Sequence, residues 1–191
     1  KAWTETLETV RPRLAPSTFA QCALDTAAWD LWGKLRGGPV WKLWGLNLED
    51  CPPSDYTIGL DTAEVMAAKL REFPGWPVYK VKLGRDDDVE LVRALREQTD
   101  AAFRVDANCA WTPEETLDKA AALAELGVEL IEQPLLPQKD AAMARLRAAS
   151  PLPLVADESC RREGDVERCA AGFHGVNVKL VKCGGLTPAR R

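Results

Sequence analysis

The sequence Tyr79-Lys80-Val81-Lys82-Leu83-Gly84 has the pattern of a short β-strand that ends at a glycine. Its aromatic and β-branched residues favour a strand. Because residues two apart on a strand share a face, Lys80 and Lys82 are expected to project together. A single strand with two lysines is most often a solvated edge. The spacing of the residues that follow argues for a functional interpretation instead.

Four further strand-like runs follow, and each ends in a polar residue. These residues are Asp106, Glu132, Asp157 and Lys179, and the steps from Lys82 onwards are 24, 26, 25 and 22 residues. A strand, a helix and two loops of a βαβ unit take roughly this number of residues. The polar residues are therefore expected at the carboxyl ends of neighbouring parallel strands, where α/β barrels hold their catalytic groups.

The domain organisation follows from a change of pattern near residue 52. Residues 1–52 are predicted to be helical, with Ser17 as an N-cap and a helix from Phe19 through Leu35. Residues 53–191 alternate between about six strands and their helices. A TIM-type barrel has eight strands and typically about 250 residues. The sequence predicts an α/β fold with an incomplete TIM-type barrel, and we expect the chain to be a fragment of a longer polypeptide.

Composition narrows the classes of function. The chain has 191 residues, 46% of them hydrophobic, and a net charge of −4, so no basic field favours nucleic acid as a partner. No apolar run is long enough to span a membrane, and the first residues do not resemble a signal peptide. The six cysteines include no Cys-x-x-Cys pair, which argues against a zinc site and a disulfide framework and favours the cytoplasm. The only histidine, His174, is interpreted as structural.

Three carboxylates that converge from neighbouring strands predict an all-oxygen metal site. Asp106, Glu132 and Asp157 would repel one another without a cation, and oxygen ligands select Mg²⁺, or Mn²⁺ as an alternative, over zinc. The competing interpretation is that these carboxylates pair with lysines and arginines of the barrel. The run Asp86-Asp87-Asp88 is interpreted as a solvated helix N-terminus and not as a metal cluster.

Lysines precede and follow the carboxylates in the chain and are therefore expected on both sides of them. A lysine beside a second cation and a divalent metal has a lowered pKa and can act as a base, and Lys80 beside Lys82 supplies that second charge. Proton removal next to a carboxylate requires the metal to stabilise an enediolate. Two opposed lysines suit removal of a proton on one face and its return on the other, which is racemisation or epimerisation.

Five motifs together resemble the enolase superfamily, in its muconate-lactonizing enzyme subgroup. They are Lys80-Val81-Lys82, Asp106-Ala107-Asn108, Ile131-Glu132-Gln133-Pro134, Ala156-Asp157-Glu158-Ser159, and Lys179 with Gly184-Gly185. The resemblance extends from about Phe19 to the end of the chain. It implies a modified (β/α)7β barrel, incomplete in residues 53–191, which is preceded by the last helices of an α+β capping domain in residues 1–52.

The resemblance also implies roles, residue by residue. The implied metal ligands are Asp106, Glu132 and Asp157, the acid–base residues are Lys82 and Lys179, and Lys80 is an electrostatic helper. Asn108 and Glu158 would support the metal ligands. Lys182 competes with Lys179 for the second acid–base role, although it would point away from the site if the last strand continued regularly.

Within the subgroup, the residues around Lys179 and the run Thr57-Ile58-Gly59-Leu60-Asp61 look most like dipeptide epimerases of the L-Ala-D/L-Glu type. Cys109 departs from the relatives, which often carry Gln there. The resemblance thus implies a magnesium-dependent epimerase with a small-molecule substrate, a dipeptide, and it leaves a homo-oligomer open. The alternatives are a cycloisomerase of the muconate type, a dehydratase, an o-succinylbenzoate synthase or an N-succinylamino acid racemase, and a metal-free scaffold without activity.

Overall fold

Six parallel strands form a sheet in which each strand pairs with the next strand along the chain. The computed structural model describes Glu5 and residues 9–191. The strands are β1 (Tyr56–Ile58), β2 (Val78–Lys82), β3 (Ala102–Asp106), β4 (Val128–Glu132), β5 (Leu154–Ala156) and β6 (Gly175–Val176). The predicted α/β fold is confirmed. Within the described residues β1 and β6 are the two edges, so the sheet does not close into a barrel.

Helices precede the first strand, connect the strands and follow the last one. They are α1 (Thr18–Leu35), α2 (Val40–Leu43), α3 (Ala63–Glu72), α4 (Asp88–Arg96), α5 (Pro113–Glu125), α6 (Met143–Ala149), α7 (Val166–Ala170), α8 (Leu180–Cys183) and α9 (Leu186–Arg190). Short 3₁₀ helices lie at Arg11–Leu14, Leu48–Asp50, Pro137–Ala142 and Glu163–Asp165. The side chain of Ser17 accepts a hydrogen bond from the N–H of Ala20, which confirms the predicted start of α1.

The described chain divides into two compact units. The sheet unit contains Pro53–Cys160 and Glu167–Asn177 and holds all six strands. The helical unit contains the chain up to Pro52 together with Arg161–Val166 and Val178–Arg191. The predicted division into domains of residues 1–52 and 53–191 stays a prediction.

The register of the sheet sorts the side chains of the middle strands by face. Val81, Val105 and Ile131 are aligned across β2, β3 and β4, and all three are fully buried in the apolar core. Successive residues of a strand point to opposite faces. The next aligned row is Lys82, Asp106 and Glu132, which the same register places on the other face at the carboxyl ends of the strands.

The last strand is shorter than the sequence predicted. The run up to Lys179 was expected to be a strand, but β6 ends at Val176. The N–H of Asn177 still donates to the carbonyl of Ala156, after which the chain enters the short helix α8 with Lys179 at its N-cap position. Lys182 lies within this helix, so the expectation of its direction from a continued strand does not apply.

Buried polar contacts organise the helical unit around α1. The indole N–H of Trp29 donates to the hydroxyl of Thr187 over 2.8 Å, and the carboxylate of Asp25 accepts the backbone N–H of Thr187 over 2.9 Å. Trp29 also makes edge contacts with Trp32 and Trp44. The tryptophans therefore pack against one another. Across the described part of the chain, no helix has the length and apolar character that crossing a membrane requires.

Candidate metal and acid–base site

Three carboxylates meet at the carboxyl edge of the sheet. Asp106 and Glu132 are the last residues of β3 and β4, and Asp157 directly follows β5. One oxygen from each lies within 4.8 Å of the oxygens of the other two. The residues are 0%, 5% and 1% exposed, respectively, so little water screens the repulsion between them. The structure thus brings together the three residues that the repeat of the sequence singled out.

The two lysines of β2 contact this carboxylate trio (Asp106, Glu132 and Asp157). The ammonium of Lys80 lies 2.6 Å from Glu132 Oε2 and 3.1 Å from Asp106 Oδ2, and that of Lys82 lies 2.6 Å from Asp106 Oδ2. These are the pairs that the competing interpretation expected. The three buried carboxylates nevertheless lie close enough to one another to share a divalent cation.

Charges at close range set the protonation of these groups. Burial opposes ionisation of Asp106, but the hydrogen bond from Lys82 and the charge of Lys80 hold its pKa below the usual value. At Glu132 burial dominates and, together with the charge of Asp106, raises the pKa. Burial alone would lower the pKa of Lys80, but its contacts with Glu132 and Asp106 raise it. Lys80 is therefore an ammonium ion at neutral pH.

Neighbouring residues hold the remaining carboxylate oxygens. The amide of Asn177 donates to Glu132 Oε1 over 2.8 Å, and the backbone N–H of Asn108 donates to Asp106 Oδ1 over 3.0 Å. The Asn108 residue itself is exposed, so its described contribution comes from the backbone. Asn177 lies two residues before Lys179 in the chain, and this position is the signal in the sequence from which its contact could have been predicted.

Glu158 and Cys109 form a second pair of polar groups beside the trio. Burial, reinforced by the negative charge of Glu158, raises the pKa of the Cys109 thiol to about 12. Glu158 Oε2 is buried and has no hydrogen-bond partner within the described residues. Cys109 adopts a positive φ of 67°, which turns the chain sharply after β3. Its thiol is a neutral, half-buried group at neutral pH.

Lys179 and Lys182 belong to the helical unit and are described there. Lys179 is exposed, and its carbonyl accepts the N–H groups of Lys182 and Cys183. Lys182 is half-buried within α8. The acid–base role of Lys179 stays a prediction.

Asp88 corrects one expectation from the sequence. It was interpreted as part of a solvated helix N-terminus, but it is 0% exposed. Its Oδ1 accepts the N–H groups of Gly84 and Arg85 over 2.9 Å each. Its Oδ2 accepts the Trp111 indole N–H over 2.7 Å and the Lys119 ammonium over 2.9 Å. Asp88 is buried because the loops after β2 and β3 fold over it, and the adjacent acidic residues concealed this in the sequence.

His174 takes a structural position. It is exposed, its Nδ1 accepts the backbone N–H of Leu154 over 3.0 Å, and burial together with the charge of Arg147 lowers its pKa. The ring is therefore neutral at neutral pH and supports the start of β5. This agrees with the structural interpretation from the sequence.

The donor set fits a hard divalent cation. The carboxylate trio supplies only oxygen, its oxygens are close enough to share one ion, and no histidine or cysteine belongs to the group. Oxygen donors of this kind bind Mg²⁺ with positions left for water or for a substrate carboxylate.

Comparison with known proteins identifies relatives of the whole described fold. A family model described as "Enolase C-terminal domain-like" matches residues 62–191. An L-Ala-D/L-amino acid epimerase of Maribacter is 54% identical over 175 residues, which cover 92% of this chain and 52% of the relative. The chain therefore spans about half the length of the curated relatives that it matches.

Solved structures give the same result. A dipeptide epimerase from Cytophaga hutchinsonii, complexed with Mg and the dipeptide D-Ala-L-Val, aligns with a TM-score of 0.90 at 27% identity. The alignment covers 98% of this chain and 53% of that one. A muconate lactonizing enzyme from Pseudomonas fluorescens, complexed with muconolactone, aligns with a TM-score of 0.85 at 30% identity over 96% of this chain and 52% of that one.

Proposed function

Because this chain belongs to the enolase C-terminal domain-like family, we propose that the complete protein is an isomerase that epimerises dipeptides with the help of Mg²⁺. The reaction removes the proton α to a carboxylate and returns it on the opposite face. The observation that carries the proposal is the carboxylate trio, with two lysines of one strand in contact with it. The relatedness to epimerases supports the choice of reaction.

In this proposal Asp106, Glu132 and Asp157 hold the magnesium ion, and Mn²⁺ is an alternative with the same donor preference. When bound, the ion supplies the positive charge that stabilises an enediolate. Asn177 keeps Glu132 Oε1 oriented, and the buried surroundings exclude water from the ligand oxygens. The lysines supply the proton chemistry.

Lys82 and Lys179 are proposed as the two acid–base residues. One lysine removes the α-proton as a free amine and the other returns a proton as an ammonium group, so their roles exchange with the direction of the reaction. Lys80 stays protonated and helps to balance the charge that develops on the substrate carboxylate. The proposed compartment is the cytoplasm, which suits the six free cysteines.

Hydrogen exchange tests the reaction. The complete protein is incubated with Mg²⁺ and L-Ala-L-Glu in D₂O, and the recovered dipeptides are analysed by mass spectrometry and NMR. An epimerase incorporates one deuterium at the α-carbon and produces both epimers. A panel of dipeptides with acidic, basic and apolar second residues identifies the preferred substrate. Absence of exchange with every dipeptide would count against the proposal.

A second candidate is a cycloisomerase of the muconate type, favoured by the structural similarity to a muconate lactonizing enzyme. Such an enzyme uses one lysine as its only acid–base group. It would convert cis,cis-muconate to a lactone and leave dipeptides unlabelled in D₂O. The two candidates therefore differ in both the substrate consumed and the position of the label.

A further inference from the structure

Gln133 is a fully buried glutamine between a proposed metal ligand and a proline. It follows Glu132 at the end of β4, is 0% exposed and adopts a positive φ of 38°. A positive φ is uncommon for a residue with a long side chain and persists only where its surroundings determine it. The contacts of this residue explain why the conformation is kept.

Every polar atom of the Gln133 side chain makes hydrogen bonds. Its Oε1 accepts the backbone N–H groups of Asp157 over 2.9 Å and Ser159 over 3.0 Å. Its Nε2 donates to the carbonyl of Leu135 over 2.7 Å and to the hydroxyl of Ser159 over 2.8 Å. The side chain therefore joins the end of β4 to the loop that begins at Asp157.

The backbone of Gln133 extends this connection in two directions. Its N–H donates to the carbonyl of Val155 on β5, and its carbonyl accepts the N–H of Cys109 in the loop after β3, both over 2.8 Å. One residue thus contacts the chain beside each of the three carboxylates. Gln133 is adjacent to Glu132 in the chain, and its side chain accepts the N–H of Asp157. Its carbonyl accepts the N–H of Cys109, which lies three residues after Asp106.

We propose that Gln133 is a positioning residue that sets the spacing of Asp106, Glu132 and Asp157 for a divalent cation. The inference rests on the metal site of the proposed function. A primary amide offers two N–H donors and an acceptor oxygen in one plane. These match the surroundings of Gln133, which provide one carbonyl acceptor, one hydroxyl acceptor and two backbone N–H donors. Residues that orient metal ligands typically contribute about 10–100-fold to metal affinity.

Asparagine is the most informative substitution, because it tests the length of the side chain while the amide group is retained. Gln133→Asn keeps the amide and tolerates a positive φ, but the side chain is one carbon shorter and loses the N–H groups of Asp157 and Ser159. Gln133→Met keeps the length and removes every hydrogen bond of the side chain. Val128→Ala is the matched control, because Val128 is buried at the opposite end of the same strand.

The experiment measures Mg²⁺ dissociation constants by titration calorimetry and the thermal midpoint of each variant of the complete protein. We expect at least ~10-fold weaker Mg²⁺ binding for Gln133→Asn and Gln133→Met. The control should lose thermal stability without losing Mg²⁺ affinity. If one of the two substitutions prevents folding, the other decides the question.

The outcomes separate this inference from the proposed function. Mg²⁺ affinity within ~2-fold of the wild type in a folded Gln133 variant would overturn the positioning role alone, and so would an equal loss in the control. A wild-type protein that binds no Mg²⁺ would overturn both. Wild-type Mg²⁺ binding without α-proton exchange would reject the epimerase and leave the role of Gln133 to be decided by the affinities.

Discussion

Lys80 and Lys82 contact the same carboxylates that are proposed to bind the divalent cation. Their ammonium groups contact Glu132 and Asp106 at 2.6 Å. A divalent ion that used the same oxygens would compete with these contacts. Metal binding and the positions of the two ammonium groups are therefore coupled in the proposed mechanism.

At the residue scale, the first prediction concerns the two proposed acid–base lysines. Lys82→Ala or Lys179→Ala should lower the turnover of the complete protein at least ~10³-fold, because a positioned acid–base group typically contributes 10²–10⁴-fold. The α-proton exchange assay measures the loss, and circular dichroism checks the fold. Lys69→Ala is the control, because Lys69 forms an exposed pair with Glu72. Near-normal turnover in either lysine variant would refute its assignment.

A second residue-scale prediction follows from the Cys109 thiol. Its pKa of about 12 leaves roughly one part in 10⁴ as the reactive thiolate at pH 8, so iodoacetamide should modify it slowly. Glu158→Gln removes a negative charge that raises this pKa, and the modification should become faster. Peptide mass spectrometry measures both rates, with the exposed Cys51 as an internal reference. An unchanged or slower reaction of Cys109 in the variant would contradict the role of Glu158.

At the element scale, the repeat of strand, loop and helix was predictable because every unit meets the same physical requirement. A buried parallel strand needs apolar residues, and its polar end marks the edge of the sheet. The carboxylate trio follows from this repeat. The roles of Gln133 and Asp88 were not predictable, because their partners lie up to 26 and 31 residues away in the chain. Contacts at such distances depend on how loops fold over each other, which periodicity does not encode.

The end of β6 shows a second limit at this scale. The run Val176-Asn177-Val178-Lys179 alternates like a strand, yet only Gly175–Val176 forms one. Local alternation predicts the type of an element better than its boundary, because the strand continues only as far as the neighbouring strand offers hydrogen bonds. β5 ends at Ala156, and its carbonyl accepts the last such bond from Asn177.

The prediction at the element scale concerns the contribution of Asp88 to the free energy of unfolding. Asp88→Ala leaves the Lys119 ammonium without its buried carboxylate partner, and it removes the acceptor for the N–H groups of Gly84, Arg85 and Trp111. We expect the free energy of unfolding to fall by about 3–5 kcal/mol, the usual cost of removing one partner of a buried ion pair. Urea denaturation measures the change.

The control for this prediction is the exposed neighbour Asp86, whose replacement by Ala should change the free energy of unfolding by less than about 0.5 kcal/mol. Equal effects of the two substitutions would show that Asp88 acts only through the charge of the helix N-terminus. A loss confined to Asp88→Ala supports its role in joining the loops after β2 and β3.

At the scale of the whole molecule, the carboxylate trio lies entirely within the sheet unit, whereas Lys179 belongs to the helical unit. Binding of a divalent cation and epimerisation are thus separable properties. In the proposed function, cation binding depends on Asp106, Glu132 and Asp157 with their supporting residues. The proposed epimerisation requires in addition the second proposed acid–base lysine and the parts of the complete protein that would hold a dipeptide.

At this scale we predict that Mg²⁺ raises the thermal stability of the protein, because a ligand that binds only the folded state stabilises that state. At a Mg²⁺ concentration 100 times the dissociation constant, the gain is about 2.7 kcal/mol, which thermal unfolding detects as a higher midpoint. The gain should be larger at pH 8 than at pH 5. Burial raises the pKa of Glu132, so this carboxyl group takes up a proton more readily as the pH falls, and a protonated carboxyl group is a poor ligand.

Two controls make the result specific to the carboxylate trio. Excess EDTA should return the midpoint to its metal-free value, and Asp106→Asn should abolish the Mg²⁺ effect because it removes an anionic ligand from the buried trio. Asp86→Asn, at an exposed position outside the trio, should leave the effect unchanged. A Mg²⁺-induced shift that persists in Asp106→Asn would place the stabilising ion elsewhere on the protein and would contradict the assignment of the carboxylates on which the proposed catalysis depends.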